Sequence, residues 1–134
     1  SENGLDNFQM LFLTINLVIG EGIKSITLLM SNQSKIEAVI QRSITEFNST
    51  FEKERVNFRL KTEVAKFGLK PSKKKNGFPK IDMPSFNPKT TIAESNLTMF
   101  TLIWREKPSD FEIYFDKIHT KKRMNCQNKG CVIF

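Results

Sequence analysis

The chain has 134 residues, enough for one domain with a single core and too few for two. Its apolar fraction, 39%, is that of a soluble globular protein, and twelve Phe beside one Trp and one Tyr point to a core built from phenylalanine. Twenty-one Lys and Arg against fourteen Asp and Glu give a net charge of +7, which suits an acidic partner (an anionic membrane surface, a nucleic acid or an acidic protein face) as well as plain solvation.

Residues 10–19, MLFLTINLVI, alternate. Leu11, Leu13, Ile15, Leu17 and Ile19 interleave with Phe12, Thr14, Asn16 and Val18, the period of a strand buried mainly on one face. The run is too short to span a bilayer and is broken by Thr14 and Asn16. It has neither the charged lead nor the cleavage site of a signal peptide, so none is expected. GEG at 20–22 is a turn signal, and IKSITLLM alternates again with Ile26, Leu28 and Met30 on one side. The two strands are expected to form an antiparallel hairpin.

The period then changes. Ile36, Val39, Ile40, Ile44 (or Ser43), Phe47 and Phe51 recur at three- and four-residue steps, the apolar stripe of an amphipathic helix. Ser34 followed by Glu37 predicts a capping box, with the helix starting at Lys35. Val56, Phe58 and Leu60 alternating with Asn57, Arg59 and Lys61 predict the next strand. KPSKKKNGFPKIDMPSFNPKTT, with four Pro and a Lys triplet, is expected to be a long irregular loop over about 68–90, with FPKIDM as a short extended piece pairing within it. TIAESNLTMFTLIWRE predicts a helical bend and a strand from Met99 to Arg105. Phe111, Tyr114, Phe115 and Ile118 fall at helical spacing in SDFEIYFDKIHTKK, and periodicity ends near Lys121. Sequons at Asn32, Asn48 and Asn96 occur at the frequency this Asn-, Ser- and Thr-rich composition produces by chance and decide nothing.

Both Cys lie within nine residues of the C-terminal end, a spacing that suits a reducing compartment and a special role for the tail better than a disulfide framework. Cys131-Val132-Ile133-Phe134 matches the C-a-a-X prenylation pattern: a thiolate to take the isoprenoid, two aliphatic residues, and a Phe that favours geranylgeranyl. One prenyl chain anchors only marginally, so a second signal is expected upstream. Lys121, Lys122, Arg123 and Lys129 supply a basic patch for an anionic leaflet, and Cys126 is a possible palmitoyl site.

Catalysis is not expected. The single His, His119, is read as a surface residue, and no Gly-rich phosphate loop, Cys/His ligand set or triad order is present, so neither metal nor cofactor is expected. Lys70, Lys73, Lys74, Lys75 and Lys80 around Phe78 make a possible anion-binding loop for phosphates of a lipid headgroup or a nucleic-acid backbone. With Phe78 the one aromatic among them, base stacking is poorly provided for.

Strand, tight turn, strand, long helix, strand, loop, short piece and final strand is an order that resembles the β-grasp, or ubiquitin-like, fold. TTIAESNLTMFTLIWRE is similar to the closing segment of ubiquitin-like domains, and GIKSITLLMSNQSKIEAVIQRSITEF to the second strand and helix of ubiquitin-like and Ras-association domains. The resemblance covers about residues 10–106. It implies an α+β chain in which a mixed sheet of four to five strands packs on one long helix, with a domain over 8–118 and a basic tail over 119–134. Conjugated relatives close in Gly-Gly soon after the last strand. Here about thirty residues follow and there is no Gly-Gly, which disfavours a conjugated modifier.

With its C-a-a-X tail the chain resembles the membrane-anchored ubiquitin-fold proteins. That likeness implies a prenylated adaptor at the cytoplasmic face of a membrane, with a ubiquitin-conjugating enzyme as partner. Two alternatives stay open. One is a Ras-association-type domain that meets a small GTPase through Lys24, Arg59 and Lys61; the other is a basic nucleic-acid-binding domain.

Overall fold

Leu13, Ile15 and Leu17 put their side chains on one side of a ten-residue strand, β1 (Met10–Ile19), and each is at most 1% exposed. β2 (Gly22–Ser31) returns antiparallel to it in unbroken register from Ile19↔Gly22 to Met10↔Ser31. Gly20 carries φ +61° while Glu21 does not take positive φ, the pattern of a type II′ turn whose twist suits a two-residue hairpin. The hairpin thus forms as its alternation predicts. The computed structural model describes residues 8–105 and 115–117.

α1 (Ile36–Lys53) buries Ile36, Val39, Ile40, Ser43, Ile44, Phe47 and Phe51, the predicted stripe including both candidates at 43 and 44. Its N-terminus differs from expectation. The N-cap is Lys35, without a side-chain cap, and the Ser34–Glu37 box does not form. The first free N–H groups are taken instead by loop carbonyls: Ile36 donates to Thr90 at 2.8 Å and Glu37 to Pro88 at 3.0 Å, while the Glu37 carboxylate pairs with Lys89 at 3.2 Å. At the other end Arg55 sits at φ +61°, with its N–H on Glu52 O and that of Val56 on Phe51 O, a Schellman closure.

The next expected strand is also corrected. β3 (Phe58–Leu60) is only three residues long and pairs with β6 (Phe115–Lys117) in a separate two-stranded ribbon. A helix over that last stretch is therefore not what Phe115–Lys117 forms. β3 is held to α1 by Asn48, whose amide bonds both backbone groups of Leu60, accepting at 2.7 Å and donating at 3.1 Å.

After a single 3-10 turn (Val64–Lys66), the strand that enters the main sheet is β4 (Phe67–Pro71). α2 (Ile92–Ser95) is one short turn, and here a capping box is present, between Thr91 and Glu94. β5 (Met99–Trp104) follows and pairs parallel to β1 and antiparallel to β4.

The result is an α+β chain with a four-strand mixed sheet, order β2-β1-β5-β4, and one long helix on one face. Between sheet and helix lie Leu13, Ile15, Leu28, Ile40, Phe47, Phe51, Phe67, Leu69, Phe100 and Leu102. Phe47 stacks on Phe51, Phe67 meets Trp104 edge-on, and Phe86 from the long loop meets Phe100 edge-on, so the core is built largely from phenylalanine.

The two edges of the sheet differ. Along β4 the loop lies alongside, with Lys80 N–H on Pro71 O and Phe86 N–H on Leu69 O, both at 2.9 Å. Along β2, among the described residues, no backbone group bonds the outward N–H and C=O groups of Ser25, Thr27 and Leu29.

Candidate functional site

The face of the sheet turned away from α1 carries the features of interest. On β1 the residues alternating with the core set are Met10, Phe12, Thr14, Asn16 and Val18; on β2 they are Ile23, Ser25, Thr27, Leu29 and Ser31. None of these ten is charged. Phe12 lies directly opposite Leu29 across the hairpin, and they are 71% and 47% exposed. Met10 and Phe8 continue the exposed apolar group along the same side of the chain.

Farther along, the face is roofed. Beyond β4 the chain turns back as a small hairpin: Ser72 bridges to Pro79, Lys73 N–H donates to Phe78 O, and Gly77 N–H donates to Lys73 O, each bond 2.8 Å. The Asn76 side chain accepts the Phe78 N–H. Gly77, at φ +82°, closes the turn, and a Cβ there would stand 3.1 Å from Asn16 Nδ2. Glycine serves both needs at once, positive φ and close approach to the sheet.

A line of polar contacts fastens this turn down. Ser25 Oγ donates to Asn16 Oδ1, Asn16 Nδ2 donates to Ser72 Oγ at 3.2 Å, Ser72 Oγ meets Thr101 Oγ1 at 2.6 Å, and Thr101 Oγ1 donates to Gly77 O at 2.7 Å. The line runs across β2, β1, β5 and the end of β4. Asn16, Ser72 and Thr101 are all buried, and their polar atoms use one another as partners.

The five lysines expected to form an anion-binding loop therefore belong to one folded stretch. Lys70 is on β4 with its Nζ on the Ile81 carbonyl at 3.3 Å; Lys73, Lys74 and Lys75 form the exposed turn; Lys80 follows the bridge and is exposed. The pairing expected within FPKIDM is present as the Ser72–Pro79 bridge and the Lys80–Pro71 bond.

Lys24, Arg59 and Lys61 are not on one edge. Lys24 is on β2, held by Glu54 at 2.6 Å, whereas Arg59 is in the separate ribbon and donates to the Val56 carbonyl. His119, Lys121, Lys122, Arg123, Cys126, Lys129 and Cys131 lie outside the described residues.

A cleft of about 350 Å³ opens between α1 and the long loop, where Ile40, Phe67 and Phe86 line it and Arg105, Ser85 and Asn87 bring polar atoms. No carboxylate, thiol or imidazole lines it, and among the described residues no cluster of His, Cys, Asp or Glu is placed to hold a metal ion.

Two features escape sequence reasoning. The polar line joins residues up to 85 positions apart, from Asn16 to Thr101, with no local signature. The Phe12–Leu29 pair had one: large apolar residues at outward positions of strands whose inward positions were already apolar.

No protein-family model matches the chain, and no curated protein matches it in sequence. Among solved structures, one chain of "MycP5-free ESX-5 inner membrane complex, State II" is similar at a TM-score of 0.46 and 11% identity. The match covers 88% of this chain and 26% of that one, so this chain spans about a quarter of the length of that protein. A likeness at this level bears on neither fold family nor function. No helix among the described residues is long and apolar enough to cross a membrane.

Proposed function

We propose that the chain is a non-catalytic adaptor of the β-grasp type, which recruits a protein partner to a membrane surface. The observation that carries this reading is the sheet itself. The order β2-β1-β5-β4, with β1 and β5 parallel at its centre and one long helix across a single face, is compatible with a β-grasp arrangement and supports this reading. Fold alone does not set function; the cationic turn on the sheet and the C-a-a-X motif at Cys131 add the membrane component. Anchoring such a domain raises the local concentration of whatever it binds, which is how a module without a reaction centre changes the rate of another protein's reaction.

A ubiquitin-conjugating enzyme is the partner class this reading favours. The GTPase alternative is weakened by the Lys24–Glu54 pair, which occupies one of its three basic residues. The nucleic-acid alternative is weakened by the shortage of aromatic side chains beside the lysine turn.

The test is the intact mass of the full-length protein from a eukaryotic cell, with and without a geranylgeranyltransferase inhibitor. An inhibitor-sensitive gain of one isoprenoid with loss of the last three residues is expected. An unmodified chain would remove the membrane half of the proposal.

A further inference from the structure

We infer that the outer face of the sheet is the surface that lies on an anionic bilayer: Phe12 and Leu29 enter the boundary between headgroups and acyl chains, and the Lys73–Lys75 turn meets the lipid phosphates. This rests on the membrane reading above and assigns it a face.

Charge is distributed unevenly between the two sides of the sheet. The ten outward positions of β1 and β2 are uncharged, and residues 72–83 hold four Lys against Asp82 as their one acidic residue, whereas Lys89 is paired with Glu37 on the helix side. On the other side of the sheet α1 and its ends mix both signs, with Glu37, Glu46, Glu52 and Glu54 among Lys35, Arg42, Lys53 and Arg55. An anionic plane is thus attracted to one side of the domain in particular.

The cationic turn also lies close to the apolar pair. Gly77 packs on Asn16, and Asn16 is four residues from Phe12 on the same face of the same strand, about 13 Å at the usual strand rise. The apolar pair and the cationic turn therefore share one footprint. Ile81 and Met83, both exposed, extend it on the β4 side, where Lys70 holds the Ile81 carbonyl.

The polar side chains in the middle of this face, Asn16, Ser25, Ser72 and Thr101, are bonded to one another. Thr14 and Thr27 are the polar side chains between them and the Phe12–Leu29 pair, and the rest of the exposed face is apolar area and positive charge, the combination that suits a lipid interface.

The experiment is co-sedimentation of the full-length, unlipidated chain from a bacterial host with phosphatidylcholine vesicles, with and without phosphatidylserine. Binding is expected only with phosphatidylserine, and it should fall as salt rises. The double variant Phe12→Ser, Leu29→Ser should partition about tenfold less well. Lys73, Lys74 and Lys75 all changed to Gln should lose at least about tenfold and most of the salt dependence. All these positions are exposed, so the variants should keep the parent's thermal midpoint.

The inference is overturned if binding ignores Phe12 and Leu29, or if changing Lys121, Lys122 and Arg123 to Gln abolishes it while the turn variant does not. Self-association of the parent, lost in the Phe12 and Leu29 variant, without vesicle binding would overturn it in favour of a contact between copies. The mass measurement is independent of Phe12 and Leu29, so a prenylated chain with an indifferent sheet face refutes this assignment and leaves the adaptor reading intact.

Discussion

Arg55 occupies a left-handed conformation that costs a side chain about 1 kcal/mol relative to glycine, and its N–H and that of Val56 close the end of α1. Arg55→Gly should therefore stabilise the chain by about 0.5 kcal/mol after the greater freedom of glycine in the unfolded state is subtracted, readable as a higher denaturant midpoint at unchanged slope. Thr101 is a contrary case. It is fully buried and satisfies both Ser72 Oγ and the Gly77 carbonyl. Thr101→Val keeps the shape and strands those partners, so a loss of about 1–3 kcal/mol is expected, together with faster amide exchange at Lys73 and Gly77 than at α1. Equal exchange would mean that the turn is held by its own backbone bonds. Neither residue announces its role: nothing local at Arg55 says that a helix ends in a left-handed residue there, and Thr101 sits in a strand where its hydroxyl looks like ordinary outward polarity.

Elements with a sustained period were legible, and those without were not. β1, β2 and α1 each repeat their pattern for ten or more residues, enough for one face to be recognised before any partner is known. β4 was hidden because four of its five residues, with Gly68 and Pro71 among them, fall in the stretch expected to be an irregular loop over about 68–90. Both are tolerated because of where the strand sits: Pro71 needs no ladder hydrogen on an edge, and a Cβ at Gly68 would meet Ser85 and Arg105 at 3.2 Å. The Ser34–Glu37 box failed because the loop before α2 supplied carbonyls to the first turn of α1, a tertiary event no window of sequence contains. Asn48 is the corresponding device for β3, a side-chain amide acting as a one-residue strand partner. Asn48→Ala should cost about 1–3 kcal/mol, because it leaves both backbone groups of the buried Leu60 without it. Phe47→Ala, in the centre of the helix stripe, should cost about 3–5 kcal/mol. Urea unfolding of the two variants should rank them in that order; a milder Phe47 variant would place the core elsewhere.

For the molecule as a whole, the proposal divides labour between the folded domain and the tail. If Cys131 carries the anchor, Cys131→Ser should move the protein from the membrane to the soluble fraction of a cell lysate, and a residual membrane fraction should then vanish in high salt. Retention at the membrane in high salt would point to attachment by some other means. The candidate site was half legible at this scale. The lysines and the C-a-a-X motif are compositional and visible at once, whereas their position relative to the sheet depends on Gly77, Asn16 and Thr101 meeting in space.

The unequal edges of the sheet set a limit on assembly. In the four-strand sheet, among the described residues, each copy offers open strand backbone along β2, since the chain lies against its own β4. Two copies joined along β2 use up both of those edges, and the main sheet then has none left for a third copy. Crowding at high concentration would then yield closed pairs rather than growing fibres, and the segment that decides between those fates is Lys80–Phe86, a stretch with no regular structure of its own.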